Sequence, residues 1–170
     1  MGKVAILVEN DYQDQEVWVP LYRLREEGYE TVTVGPAATG YKSKYGYPIQ
    51  AQAAASDVGA GDFLGVVIPG GWAPDRLRQH ASILKLVKEL FDRRRVVASI
   101  CHGGWVLASA GIARGRRLTS YVAIKDDLVN AGAEWTDAEV VRDGNLITSR
   151  KPDDLPAFCR EMVRALKETR

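Results

Sequence analysis

The sequence predicts an α/β sandwich with a mainly parallel central sheet, and three observations carry that prediction. Short apolar runs bounded by polar residues recur along the chain: KVAILV (3–8), TVTV (31–34), FLGVVIPGG (63–71, whose end is a glycine turn) and VVASI (96–100). Runs of this length and composition are buried strands. Segments with helical spacing of apolar residues separate them, and strands alternating with helices make a layered parallel sheet. In such sheets the reactive groups gather outside the carboxyl ends of the strands. Three such ends are chemically rich here: Glu9–Glu16, Pro69–Asp75 and Cys101–His102.

The elements follow in order. After the first strand, Asp14 is placed to cap a helix through EVWVPLYRLREEG, with Val17, Leu21 and Leu24 on one face, Pro20 near the first turn and Gly28 as the stop. YKSKYGYPIQAQA reads as a pair of short strands or a hairpin at the edge, turning at Gly46 and Pro48. WAPDRLRQ is a short helix opened by Pro74, and 82–95 a longer one with Ile83, Leu84, Val87, Leu90 and Phe91 on one face. GWVLASAG (104–111) and VAIKDDLVNAG are helices, AEVVRDGNLITS a hairpin about Asp143-Gly144, and Asp153 the cap of a final helix.

The 170 residues fit one domain, 1–170, large enough to bury a core without disulfides or metal staples. Lys and Arg total 23 against 22 Asp and Glu, a net charge of +1 that gives no support for a nucleic-acid surface or an acidic-membrane anchor. The basic run DRRRVV (92–97) lies between a helix and a strand, as a solvated cap. No segment approaches the roughly 18–20 apolar residues of a membrane span, and the N-terminal apolar run is too short for a signal peptide, so the cytosol is the expected compartment. Two distant cysteines and two histidines predict neither a disulfide framework nor a metal site.

The two cysteines have different surroundings. Cys159 falls in a stripe with Leu155, Phe158, Met162, Val163 and Leu166, the core face of the last helix. Cys101 stands in ASICHGGW (98–105), where a strand gives way to a helix and small residues permit a sharp turn, the geometry of a nucleophile elbow. The free N–H groups of the following helix are expected to lower its thiol pKa. Together with the Gly70-Gly71 turn, those groups could hold an oxyanion. His102 is the expected partner, provided that the elbow bends the chain, because adjacent side chains on a regular helix diverge. His80 lies in a polar helix end, and Glu16 is the carboxylate candidate at the first strand end.

ASICHGGWVLASAGIARGRRLTSY, VIPGGWAPDRLR and IKDDLVNAGAEWTDAEVVRDGNLITSRKPDDLPAF resemble the PfpI family of intracellular cysteine peptidases, related to the Parkinson-associated deglycases. The resemblance spans essentially the whole chain. It implies a flavodoxin-like three-layer sandwich, a dimer or a hexamer of dimers, and a Cys-His pair at Cys101 and His102. It further implies a triad acid, Asp75, lent to a neighbouring subunit, Glu16 as the glutamate that contacts the cysteine, and Tyr121 beside the pocket. Gln13 stands where many members carry a second acid, the chain reads HGG where many read HGP, and Asp75 is shorter than the glutamate of some relatives.

The resemblance implies no cofactor and three kinds of activity: peptide hydrolysis, glutathione-independent glyoxalase or deglycase action on dicarbonyls, or a non-enzymatic stress or chaperone role driven by oxidation of Cys101. A glutamine amidotransferase is the outsider, because no histidine follows His102.

Overall fold

A computed structural model describes residues 2–169. The chain runs β1 (Lys3–Leu7), α1 (Asp14–Glu26), β2 (Glu30–Gly35), β3 (Gly40–Lys42), β4 (Pro48–Gln50), β5 (Ala53–Ala54), β6 (Phe63–Ile68), α2 (Ala73–Leu77), α3 (Ala81–Asp92) and β7 (Val96–Ile100). It continues through α4 (Gly104–Ser109), β8 (Arg117–Leu118), α5 (Lys125–Asn130), β9 (Glu134–Trp135), β10 (Val141–Asp143), β11 (Leu146–Ser149) and α6 (Leu155–Glu168).

The seven-stranded central sheet has the order β10-β11-β7-β6-β1-β2-β5. Every pairing is parallel except β10 with β11. Helices α1 and α6 pack against each other and on one face, and α3 and α4 on the other, which is the three-layer sandwich expected. The middle strands carry the core. Val66, Val67, Ile68, Val97, Ala98 and Ile100 are fully buried, and each Val or Ile so buried contributes about 1.5–3 kcal/mol. From β1 the chain moves outward to β2, and β6 returns on the other side of β1. The strand order therefore reverses between β1 and β6, the switch point at which parallel sheets open a crevice.

The expected edge hairpin is the separate β3–β4 pair, and the β10–β11 hairpin turns through Gly144. Four local expectations are corrected. Gln13, in extended conformation, precedes α1, so Asp14 is the first helical residue and makes no capping bond. Pro20 lies inside α1 and not in its first turn, and it leaves the Glu16 carbonyl without its helical donor. At the last helix, Asp154 occupies the cap position; its carboxylate binds the Arg150 backbone N–H at 3.0 Å and the guanidinium at 2.9 and 3.0 Å. Helix α3 stops at Asp92, because Arg94 takes a left-handed φ of 61° that turns the chain into β7. Among the described residues no helix is long and apolar enough to cross a membrane.

Candidate active site

Three adjacent strands, β1, β6 and β7, end on the same edge of the sheet, and each delivers one part of the site. The segment after β7 delivers the thiol. Cys101 has φ 60°, a left-handed conformation that non-glycine residues adopt at a cost. That bend is the elbow, and it brings Cys101 Sγ within 3.2 Å of His102 Nδ1, a contact that consecutive residues of a regular helix would not make. Gly103 permits the bend by close approach: a Cβ there would lie 2.7 Å from both the Ile68 carbonyl and Ser99 Oγ.

The turn after β6 lies against the thiol. A Cβ on Gly70 would sit 2.6 Å from Glu16 Oε2 and 3.0 Å from Cys101 Sγ, so no side chain fits. Gly71 has φ 73°, and a Cβ there would be 2.4 Å from the Asp11 carbonyl. The expected pairing of Gly70 and Gly71 as oxyanion donors is corrected in one respect. The Gly70 N–H donates to Glu16 Oε2 at 2.7 Å and is already used. The backbone N–H groups directed at the sulfur are those of His102 and Gly71.

Helix α1 brings in Glu16, which is fully buried. Oε2 takes the Gly70 bond, Oε1 is buried without a hydrogen-bond partner, and the carboxyl group neighbours the Cys101 thiol. Burial raises the Glu16 pKa from 4.5 to about 7, against the opposing pull of the Gly70 N–H, the thiol and Lys44. Burial, and next the Glu16 charge, push the Cys101 thiol up to about 12, against the His102 and Gly71 N–H groups. The expectation that the helix start lowers the thiol pKa is thus overturned. Helix α4 has six residues, and its few N–H groups are outweighed by desolvation and a neighbouring carboxylate. The two groups behave as one site that tolerates a single negative charge. Glu16 ionises first, near 7, and burial together with that charge holds the Cys101 thiol up at about 12.

His102 is held by aromatic rings. Tyr121 stacks on it at 5.1 Å with 26° between planes, Trp105 meets it edge-on at 5.2 Å and Trp72 lies at 5.6 Å. Burial, and next the Lys44 charge, lower its pKa, so the ring is neutral at physiological pH. Tyr121 is also tied to the elbow by its backbone N–H, which donates to the Cys101 carbonyl at 3.2 Å. The cleft around these groups measures about 380 Å³ and is also lined by Gln13, Lys44, Lys151 and Pro152.

Asp75 is not brought to His102 within the chain. It lies exposed in the first turn of α2, and among the described residues its carboxylate makes no hydrogen bond or ion pair. His80 stands apart, 4.0 Å from Glu9, and Cys159 is buried on the inner face of α6. Lys44, Lys151 and Trp72 had not been read from the sequence as cleft residues. Trp72 had a signal, since it directly follows the PGG turn; the lysines had none, because the β3–β4 hairpin and the segment after β11 bring them in from afar. Among the described residues no group of three His, Cys, Asp or Glu side chains is placed to hold a metal ion.

The fold and the site together define a class: α/β sandwiches with a cysteine on an elbow at the switch point of a parallel sheet, faced by a buried glutamate. Residues 2–165 match the DJ-1/PfpI family, and the chain belongs to it. It is 44% identical to a deglycase of Pyrococcus abyssi over 165 residues, covering 97% of this chain and 99% of that one. A proposed cysteine protease of Bacillus subtilis is 40% identical over 169 residues, with 97% and 98% covered. A crystal structure from Anabaena variabilis, of a two-domain protein with DJ-1/ThiJ/PfpI-like and ferritin-like domains, superposes with a TM-score of 0.96 at 39% identity. That match covers 98% of this chain and 48% of the larger protein.

Proposed function

We propose that this protein is a cysteine-dependent hydrolase that acts on small dicarbonyls, or on their early adducts with thiols and amines, without glutathione. The observation that carries the reading is the buried pairing of Cys101 with Glu16, whose pKa of about 7 suits a group that takes and returns a proton at neutral pH. Names of relatives point the same way, with the Pyrococcus abyssi protein named a deglycase.

With methylglyoxal, Glu16 takes the thiol proton and Cys101 Sγ adds to the aldehyde carbon, forming a C–S bond as the carbonyl π bond opens. The N–H groups of Gly71 and His102 hold the oxyanion, which Glu16 then protonates to a hemithioacetal. Loss of the carbon-bound proton to Glu16 or His102, as the ketone oxygen gains a proton, gives an enediol; return of a proton to the second carbon, with loss of the proton from the first hydroxyl, leaves a thioester. Water then releases lactate and the thiol. Carbon oxidation and reduction balance within the substrate, so no external oxidant or cofactor is required.

Peptide hydrolysis is the second reading. The exposed Asp75, whose carboxylate has no partner among the described residues, supports it, since that carboxylate is placed to reach His102 of a neighbouring copy if the chain forms a dimer or hexamer. A redox role for Cys101, in which Glu16 would donate a hydrogen bond to a sulfinic acid, uses the same contact but gives no part to His102. Conversion of methylglyoxal to lactate, measured without glutathione, tests the first reading. Wild type is expected to turn over, Cys101→Ala to lose activity at least 10³-fold on the scale of nucleophile deletions, and Glu16→Ala to fall with it. Full activity in Cys101→Ser would refute a thiol nucleophile.

A further inference from the structure

Two ammonium groups flank the thiol cleft, and none of the steps above uses them. Lys44 lies in the turn between β3 and β4, its backbone N–H bonded to the Tyr12 carbonyl at 3.0 Å and its Nζ 5.2 Å from the centre of the Tyr45 ring. It lines the cleft together with Glu16, Cys101 and His102, and its charge lowers the pKa of both Glu16 and His102. Lys151 approaches from the segment after β11 and pairs with Asp153 at 3.6 Å. The sole acid among the cleft-lining residues is Glu16, which is buried. One ammonium is therefore partly neutralised, and Lys44, which takes part in no ion pair among the described residues, is not. The negative charge that this unpaired ammonium meets within the cleft is the one that Glu16 carries once ionised.

We propose that Lys44, with Lys151 lining the same cleft, forms an anion subsite beside Cys101 that favours carbonyl compounds bearing a carboxylate over neutral ones of the same size. The inference rests on Cys101 being the nucleophile of the reading above, and it adds the substrate class. A carboxylate is favoured over a phosphate because its single charge pairs with Lys44, whereas the second charge of a phosphate would face the charge that Glu16 carries in the same cleft. The cleft volume of about 380 Å³ suits a small oxo acid or the carboxylate end of a short adduct.

Alkylation of Cys101 by iodoacetate and by iodoacetamide isolates this charge effect. The reagents have nearly the same size; in both, sulfur forms a bond to carbon and iodide leaves, and one carries a carboxylate. Peptide mass mapping reads Cys101 separately from Cys159. The ratio of the two rates, normalised to that of a small free thiol, cancels any change in thiol nucleophilicity. Wild type is expected to favour iodoacetate. Lys44→Met should lower the ratio about fivefold, the size of one ammonium acting through partly solvated space. Lys44→Arg should retain the ratio, and 0.5 M salt should diminish the preference. Lys85→Met, which removes the same charge from the exposed face of α3, should leave the ratio unchanged.

Lactate should protect Cys101 from iodoacetamide better than inorganic phosphate does at equal ionic strength; the reverse order overturns the carboxylate assignment. A wild-type ratio equal to that of the free thiol, an unchanged ratio in Lys44→Met, or failure of both reagents to reach Cys101 overturns the subsite. Methylglyoxal turnover by the same preparations separates the two claims. A charge preference without turnover sinks the dicarbonyl reading alone, and turnover without a preference sinks the subsite alone.

Discussion

A carboxyl group buried beside a thiol makes the position of one proton the variable that matters most at the scale of single residues. In the folded chain Glu16 ionises near 7 instead of 4.5 because burial disfavours its charge. It is neutral in both folded and unfolded states below pH 4.5, so it costs nothing there. Between pH 4.5 and 7 the unfolded chain loses the proton and the folded chain keeps it, and stability falls by about 1.4 kcal/mol per pH unit. Above pH 7 the penalty levels off on the order of 3 kcal/mol. Glu16→Gln keeps an acceptor for the Gly70 N–H and lacks the titration. Its melting temperature relative to wild type should therefore rise from pH 5 to pH 8 and then level off. Parallel curves across that range would show that Glu16 is not held above its ordinary pKa. The candidate nucleophile was legible at this scale, because ASICHGGW combines a thiol with small neighbours at a strand end. The direction of its pKa was not, because burial and the Glu16 charge depend on contacts between residues far apart in sequence.

Among the elements, the most legible were those wholly surrounded by apolar neighbours. Strands β1, β6 and β7 and the stripe of α6 need one kind of residue throughout or at fixed spacing. Strands β8 and β9, two residues each and paired only with one another, have no period to read. Helix ends were read less well: Asp14 and Asp153 look like caps by composition, yet the chain enters both helices one residue away from the expected position. The elbow is the element on which the chemistry depends. Gly103→Ala drives a Cβ to 2.7 Å from the Ile68 carbonyl, and should cost roughly 1–3 kcal/mol of unfolding free energy in denaturant titration. The same variant should slow Cys101 alkylation at a denaturant concentration where it remains folded, because the 3.2 Å contact with His102 depends on that bend. Unchanged stability and unchanged reactivity would mean that the elbow tolerates bulk.

For the whole molecule, the sheet places three segments at one switch point, and one chain supplies the thiol, the buried glutamate and the backbone N–H groups of His102 and Gly71 that face the sulfur. The acid that would orient His102 is the part it does not supply. The two activities should therefore separate in one variant. Asp75→Ala is expected to keep methylglyoxal turnover within about twofold and, if peptide hydrolysis is detectable in wild type, to abolish it. Light scattering on the same samples tells whether wild type assembles and whether the substitution changes that. Equal loss of both activities with the assembly intact would place Asp75 in the shared chemistry.

The central claim is that Cys101 and Glu16 share one negative charge, and the pH dependence of Cys101 alkylation by iodoacetamide tests it most directly. Wild type should show a single step with a midpoint near pH 7 and a plateau to pH 10, and Glu16→Gln should lose that step and gain reactivity only at higher pH. A wild-type profile without a step near 7, or the same midpoint in both proteins, would contradict the claim.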